Sequence, residues 1–128
     1  MTTGQDAEPP WVAPWVEDVL GFWFGKLSPS HWYEKSDAID QAVGARFGDL
    51  YKRLAAAPPS ISGASPRTVL AAVVVLDQVP RNMFRDSPKA FASDGAALAL
   101  AEAAIARGLD HELTALERHC LYLPFQHC

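Results

Sequence analysis

The run Val69-Leu70-Ala71-Ala72-Val73-Val74-Val75-Leu76 contains no polar side chain, so whatever it forms must be covered on nearly every side. Ser65-Pro66 directly before it is a helix-start device, a capping serine followed by proline at the first helical position. The β-branched stretch Val73-Val74-Val75 would also suit a strand. No second segment offers itself as a strand to pair with it, so a helix from Arg67 to about Gln78 is predicted. It is the third of the chain and lies at the centre, and the rest of the sequence must surround it.

The flanking segments read as that surround. Pro14 suits a helix start, and Trp15, Val16, Val19, Leu20 and Trp23 fall on one stripe, with Gly25 expected as a left-handed cap. Glu17 and Asp18 near that start suit the helix dipole, and the aromatic cluster Trp15, Phe22, Trp23 and Phe24 suits a core. A loop from Lys26 to Lys35 carries His31, Trp32 and Tyr33, which pack over a core edge or form a lid. Ser36 or Asp37 caps the second helix, whose Ile39, Val43, Phe47, Leu50 and Leu54 recur at helical spacing. Asp37 and Asp40 sit where its dipole favours acids. Ala57-Pro58-Pro59-Ser60 ends it, and Ile61 to Ala64 reads as loop. The fourth helix starts at Ser93 or Asp94 and stops at Gly108; its many alanines allow a neighbour to approach closely. Thr114-Ala115-Leu116-Glu117 is a capping box opening the fifth, with Leu116, Cys120 and Leu123 as its stripe and Pro124 set to kink or end it.

The central helix stops in an abrupt change of chemistry. Asp77 and Gln78 follow the apolar run, then Pro80, Arg81, Asn82 and Arg85, then Ser87-Pro88. Such a helix end can face a cleft. Asp77 and Gln78 would be delivered at the helix terminus, and the turn at Pro80 would aim Arg81, Asn82 and Arg85 into the groove beside them. Guanidinium forks recognise carboxylate and phosphate groups, so the ligand expected is a small anion or an acidic peptide end. The structural alternative has Arg81 and Arg85 capping the carbonyls of the third helix and pairing with Asp77 or Asp94. His127, if it meets the Arg81 turn in space, adds a group able to move protons, and Asp77 and His127 are then the catalytic candidates of an enzyme acting on a small anionic substrate. A frayed terminal histidine is the plain alternative.

Asp77-Gln78-Val79-Pro80-Arg81-Asn82-Met83-Phe84-Arg85 with Ala90-Phe91-Ala92-Ser93-Asp94 closely resembles the signature of a bacterial family catalogued as domain of unknown function 924. Val19-Leu20-Gly21-Phe22-Trp23-Phe24-Gly25 resembles that family's aromatic opening, and Leu121-Tyr122-Leu123-Pro124-Phe125-Gln126-His127 its later block. The resemblance implies an all-α, tetratricopeptide-like stack, here of about five antiparallel helices, and implies no reaction. It also implies further helices beyond the last block, so the chain, ending at Cys128, is expected to be a C-terminally short member. On that expectation Leu121, Leu123 and Phe125 present apolar surface to a homo-oligomer partner or another polypeptide.

Composition narrows the rest. With 128 residues, one domain is expected, a loose lead-in over 1–14 followed by a single helical domain over 15–128. A net charge of -4 and no basic run argue against nucleic acid. The longest apolar stretch falls far below the ~20 residues of a membrane span, and no signal pattern opens the chain, which points to the cytoplasm. His119-Cys120 and His127-Cys128 could in principle gather on one helix face around zinc, but adjacent residues point about 100° apart and the usual spacings are missing, so no metal and no cofactor is expected. Glycine-rich phosphate loops and nucleophile-elbow motifs are absent from the sequence.

Overall fold

Helix α3, Pro66–Asp77, is buried from Val69 through Asp77 without a break, as its unrelieved apolar run requires. The computed structural model describes residues 13–28, 30–31, 35–60 and 63–127. In chain order it holds α1 (Ala13–Leu20) continued by a π-turn (Gly21–Lys26), α2 (Asp37–Ala56), α3, the short α4 (Val79–Met83), a 3-10 turn (Pro88–Phe91), α5 (Asp94–Ala106), a second 3-10 turn (Leu109–Glu112) and α6 (Ala115–His127). The fold is all-α, and no strand occurs among the described residues. Helices α1, α2, α5 and α6 all pack on α3. Each fully buried valine or leucine of α3 contributes roughly 1.5–3 kcal/mol of transfer free energy, which makes this helix the main source of hydrophobic stability.

The capping devices work as the sequence suggests. Ser36 Oγ accepts from the Ile39 amide at 3.3 Å and Ser65 Oγ from the Thr68 amide at 3.1 Å. In the Thr114 box the exchange is reciprocal: the Thr114 amide donates to Glu117 at 2.9 Å, and the Glu117 amide donates to Thr114 Oγ1 at 3.3 Å. Gly108, at φ 73°, terminates α5 in the left-handed conformation.

Three expectations are corrected. Gly25 is not a left-handed cap: the chain passes through it as part of the π-turn, closed by the Leu27 amide on the Phe22 carbonyl at 3.0 Å. That wider turn buries the adjacent Phe22 and Trp23 together, with Phe22 meeting Phe47 edge-on at 5.5 Å. Pro124 does not end α6, which runs on to His127; the ring removes one amide donor but is itself buried. The buried face of α6 is Cys120, Leu121, Leu123 and Pro124, whereas Leu116 is exposed. Leu121 and Leu123 therefore lie in the core between α6 and its neighbours α3 and α5, and only Phe125 of the expected surface trio is exposed.

Residues 1–12, Trp32, Tyr33, Ile61 and Cys128 lie outside the described residues, and with them most of the lead-in, the aromatic loop and part of the cysteine set. No described helix is long and apolar enough to cross a membrane.

Candidate functional site

The end of α3 and the whole of α4 build one polar cluster. Pro80 near the start of α4 restarts the helix one residue beyond the α3 cap, and Arg81 comes back over the α3 terminus. Its NH1 donates to the Asp77 carbonyl at 2.6 Å, so one of the orphan carbonyls of α3 is capped by a guanidinium. The same fork grips Asp94 at the start of α5 through two bonds, NH1 to Oδ1 at 2.8 Å and NH2 to Oδ2 at 3.0 Å. The pairing weighed from sequence for Arg81 is therefore the one formed.

Arg85 pairs with neither acid expected of it. It reaches across to α2 and forks onto Asp40, Nε to Oδ2 and NH2 to Oδ1, both at 2.7 Å. Asn82 Nδ2 donates to the same carboxylate at 2.9 Å. The approach of α4 to α2 is possible because Gly44 and Gly48 face Met83: a β-carbon on Gly48 would sit 3.4 Å from Met83 Cε. Asp40 was legible only as an acid favouring the helix dipole; its partners lie more than 40 residues away, and no local pattern marks such a pair.

Asp77 is fully buried, and three side chains converge on its carboxylate. His127 Nδ1 lies 2.8 Å from Oδ1, Gln78 Nε2 donates to Oδ2 at 2.6 Å, and Arg81 NH1 sits 3.4 Å from Oδ1 in addition to its bond to the backbone. Against a carboxylate, Nδ1 is the donor, which leaves Nε2 of a neutral imidazole as the acceptor. So His127 is no frayed end here; it is docked on the central helix.

These side chains open on a cleft of about 330 Å³ lined by Gln78, Arg81, Asn82, Arg85, Asp86, Ala90, Phe91 and His127. All four residues expected to bind a ligand, Gln78, Arg81, Asn82 and Arg85, line it, and so does His127; Asp77 stands behind His127 and does not. Asp86, at φ 67°, makes the reversal that brings the following turn over the cleft. Behind that turn, Tyr51 and Ser93 share a buried hydrogen bond of 2.9 Å, which fixes the residue just before Asp94.

The remaining sequence candidates lie elsewhere. His119 is exposed and Cys120 is buried, so these neighbours face different surroundings. Burial pushes the Cys120 thiol up to about 12, with the Asp77 charge adding to the effect. Cys120 should therefore resist alkylation in the folded protein at pH 8 and react fully on unfolding. A Cys128→Ser variant isolates it, and rapid native labelling would contradict the placement.

The Arg85 guanidinium holds the Asp40 carboxyl below its ordinary range, against the opposing effect of burial and with help from Asn82. A depressed folded value means that the pair's stabilisation is present above the unfolded value of about 4 and is lost as pH falls through the folded one. The stability gap between wild type and Asp40→Asn, measured by urea midpoint, should be open at pH 6 and close below about pH 4. A gap constant across that range would show that Asp40 acts through shape alone.

A family model described as a bacterial protein of unknown function, DUF924, matches residues 19–128. A solved structure of a protein of unknown function from Agrobacterium tumefaciens is similar at 35% identity with a TM-score of 0.79, covering 89% of this chain and 64% of that one. This chain thus spans less than two thirds of that structure's length. No match was found among curated proteins.

Proposed function

The chain belongs to the bacterial family of unknown function DUF924, and for this member we propose a helical binding domain whose cleft holds a small anionic molecule or the acidic end of a peptide. One observation carries the proposal: two guanidiniums and an imidazole meet at one cleft, and each is fixed from behind by its own aspartate. Arg81 is backed by Asp94, Arg85 by Asp40 and His127 by Asp77. A guanidinium has five N–H donors, and a forked carboxylate occupies two of them. The Asp40 pair uses Nε and one NH2 hydrogen of Arg85, so its NH1 edge lies outside that pair.

Two guanidiniums stand among four carboxylates, Asp40, Asp77, Asp86 and Asp94, so the cleft has no net positive field. Recognition then rests on directional donors held in place, and affinity should be modest and sensitive to geometry. The test is thermal stability in phosphate, sulfate and small carboxylates, with chloride at equal ionic strength as the control. At ligand near 100 times its Kd, stabilisation of about 2.7 kcal/mol is expected, a rise in Tm of roughly 10 °C for a domain of this size. Arg85→Ala should lose most of the ligand-dependent rise relative to its own baseline. Wild type stabilised no more by any of these anions than by chloride would refute the binding role.

The Asp77–His127 contact favours a second function, an enzyme acting on a small anionic substrate with Asp77, Arg81 and His127 in the site. A buried acid that fixes the imidazole tautomer is the half of an acid–base pair that structure can supply. Hydrolysis of carboxylate-bearing 4-nitrophenyl esters or 4-nitrophenyl phosphate by wild type, lost in His127→Gln, would support it. Equal rates for both proteins would leave binding alone.

We take the helices as a tetratricopeptide-like stack with the cleft as its groove, working in the cytoplasm; the family resemblance and the acidic balance of the sequence support this. A homo-oligomer or a partner polypeptide over α6 belongs with it, supported by the exposure of Leu116, Tyr122 and Phe125. Light scattering should show a species larger than one chain, and a monomer at high concentration would contradict self-association.

A further inference from the structure

Phe91 stands at the mouth of the cleft and is 57% exposed, more than any other large hydrophobic side chain among the described residues. A lone exposed phenylalanine is ordinary on a protein surface and needs no explanation. This one is held in a particular way. It ends a 3-10 turn that Ser87 caps by accepting from the Lys89 amide at 3.2 Å, and its neighbour Ala90 is buried beneath it.

One face of the ring is covered by the Arg81 guanidinium, whose carbon lies 5.1 Å from the ring centroid. Arg81 cannot swing aside without giving up its bonds to the Asp77 carbonyl and both Asp94 oxygens. The chain therefore keeps a largely uncovered aromatic ring, backed on one face by a held guanidinium, beside a set of fixed hydrogen-bond donors. A bare anion has no use for that surface. A ligand carrying a ring next to its charge uses both.

Resting on the anion cleft proposed above, we infer that the ligand is a planar aromatic anion, a ring bearing a carboxylate or phosphate group. The ring packs on Phe91, and the anionic group reaches the NH1 edge of Arg85, with His127 lining the same cleft. The cleft volume of about 330 Å³ is at the small end for ligand sites, which suits one ring with a short substituent. Offset stacking on a preorganised ring adds affinity beyond the apolar area it buries.

The experiment is an NMR titration of the whole chain with benzoate against acetate, phenyl phosphate against inorganic phosphate, and benzyl alcohol as the neutral ring. It is repeated on Phe91→Ala and Phe91→Trp, changes at an exposed position that leave the core intact. Benzoate should bind about tenfold more tightly than acetate. That preference should fall towards one in Phe91→Ala and persist in Phe91→Trp. Equal affinities for ring-bearing and simple anions would overturn the inference and leave the anion cleft standing. A preference unchanged in Phe91→Ala would overturn the placement of the ring. Benzyl alcohol binding as tightly as benzoate would overturn the anionic part, and failure of all these anions to bind would overturn both the inference and the cleft's proposed role.

Discussion

Asp77→Ala is expected to remove about 3–5 kcal/mol of unfolding free energy, because it takes one partner out of a buried ionic cluster and leaves the others in place. Asp77 has no exposed surface, and its carboxylate accepts from Gln78 and His127 while Arg81 lies alongside. Without it, a buried amide donor, an imidazole N–H and part of a guanidinium lose their acceptor together. Against a typical total of about 5–15 kcal/mol, that is roughly a fifth or more of the stability of an ordinary domain. Asp77→Asn keeps the shape but turns one acceptor into a donor facing either Gln78 or His127, so it should lose about half as much. Urea unfolding of both variants checks this, with Glu102→Ala, at an exposed position of α5, as the control expected near zero. A loss below about 1 kcal/mol for Asp77→Ala would mean the cluster is not closed in solution as the geometry requires.

Arg81→Ala should be the second severe change, at about 3 kcal/mol, since it uncaps the end of α3 and strips Asp94 of its fork. Arg81→Lys retains the charge but offers a single ammonium to acceptors that a planar fork meets at once, so it should recover only about half. The cycle with Asp94→Ala isolates the pair, and a coupling energy of at least about 1 kcal/mol is expected. Lysine as stable as arginine, or a coupling near zero, would reduce Arg81 to a general positive charge. Combining Arg81→Ala with Asp77→Ala should cost less than the sum of the two, because both act on one cluster.

The fold was legible where the information is local. Ser65-Pro66 and the run to Leu76 mark a buried helix whatever surrounds it, and the Thr114–Glu117 box carries its own geometry. The site was legible in part for the same reason: Asp77, Gln78, Arg81, Asn82 and Arg85 sit within nine positions on one helix end and turn, so any fold brings them near one another. What escaped is what joins distant segments. Asp40 meets Arg85 across 45 positions, Arg67 of α3 is held by Glu17 of α1 and Glu117 of α6, and Tyr51 meets Ser93 across 42. Glu17 and Asp40 have good local reasons to stand near helix starts, and those reasons hide the longer contact. On α6 the expected stripe holds at Cys120 and Leu123 and fails at Leu116, which is exposed in the first turn; Leu121 and Pro124 join the buried face because the helix packs against both α3 and α5. Phe91 gave no signal of its own beyond its place in the family signature, since an exposed ring beside a cation is a feature of three dimensions.

The role of the cleft is read most directly from the Nε–H signals of Arg81 and Arg85 and the imidazole signals of His127 during titration with phosphate at fixed pH and ionic strength. Arg67, held by Glu17 and Glu117 in a separate ion-pair group, is the internal control. Saturable shifts at Arg85 and His127, with Arg67 unmoved, are the result expected of an anion held in the cleft. Signals that stay fixed throughout, or an Arg67 shift as large as that of Arg85, would contradict it.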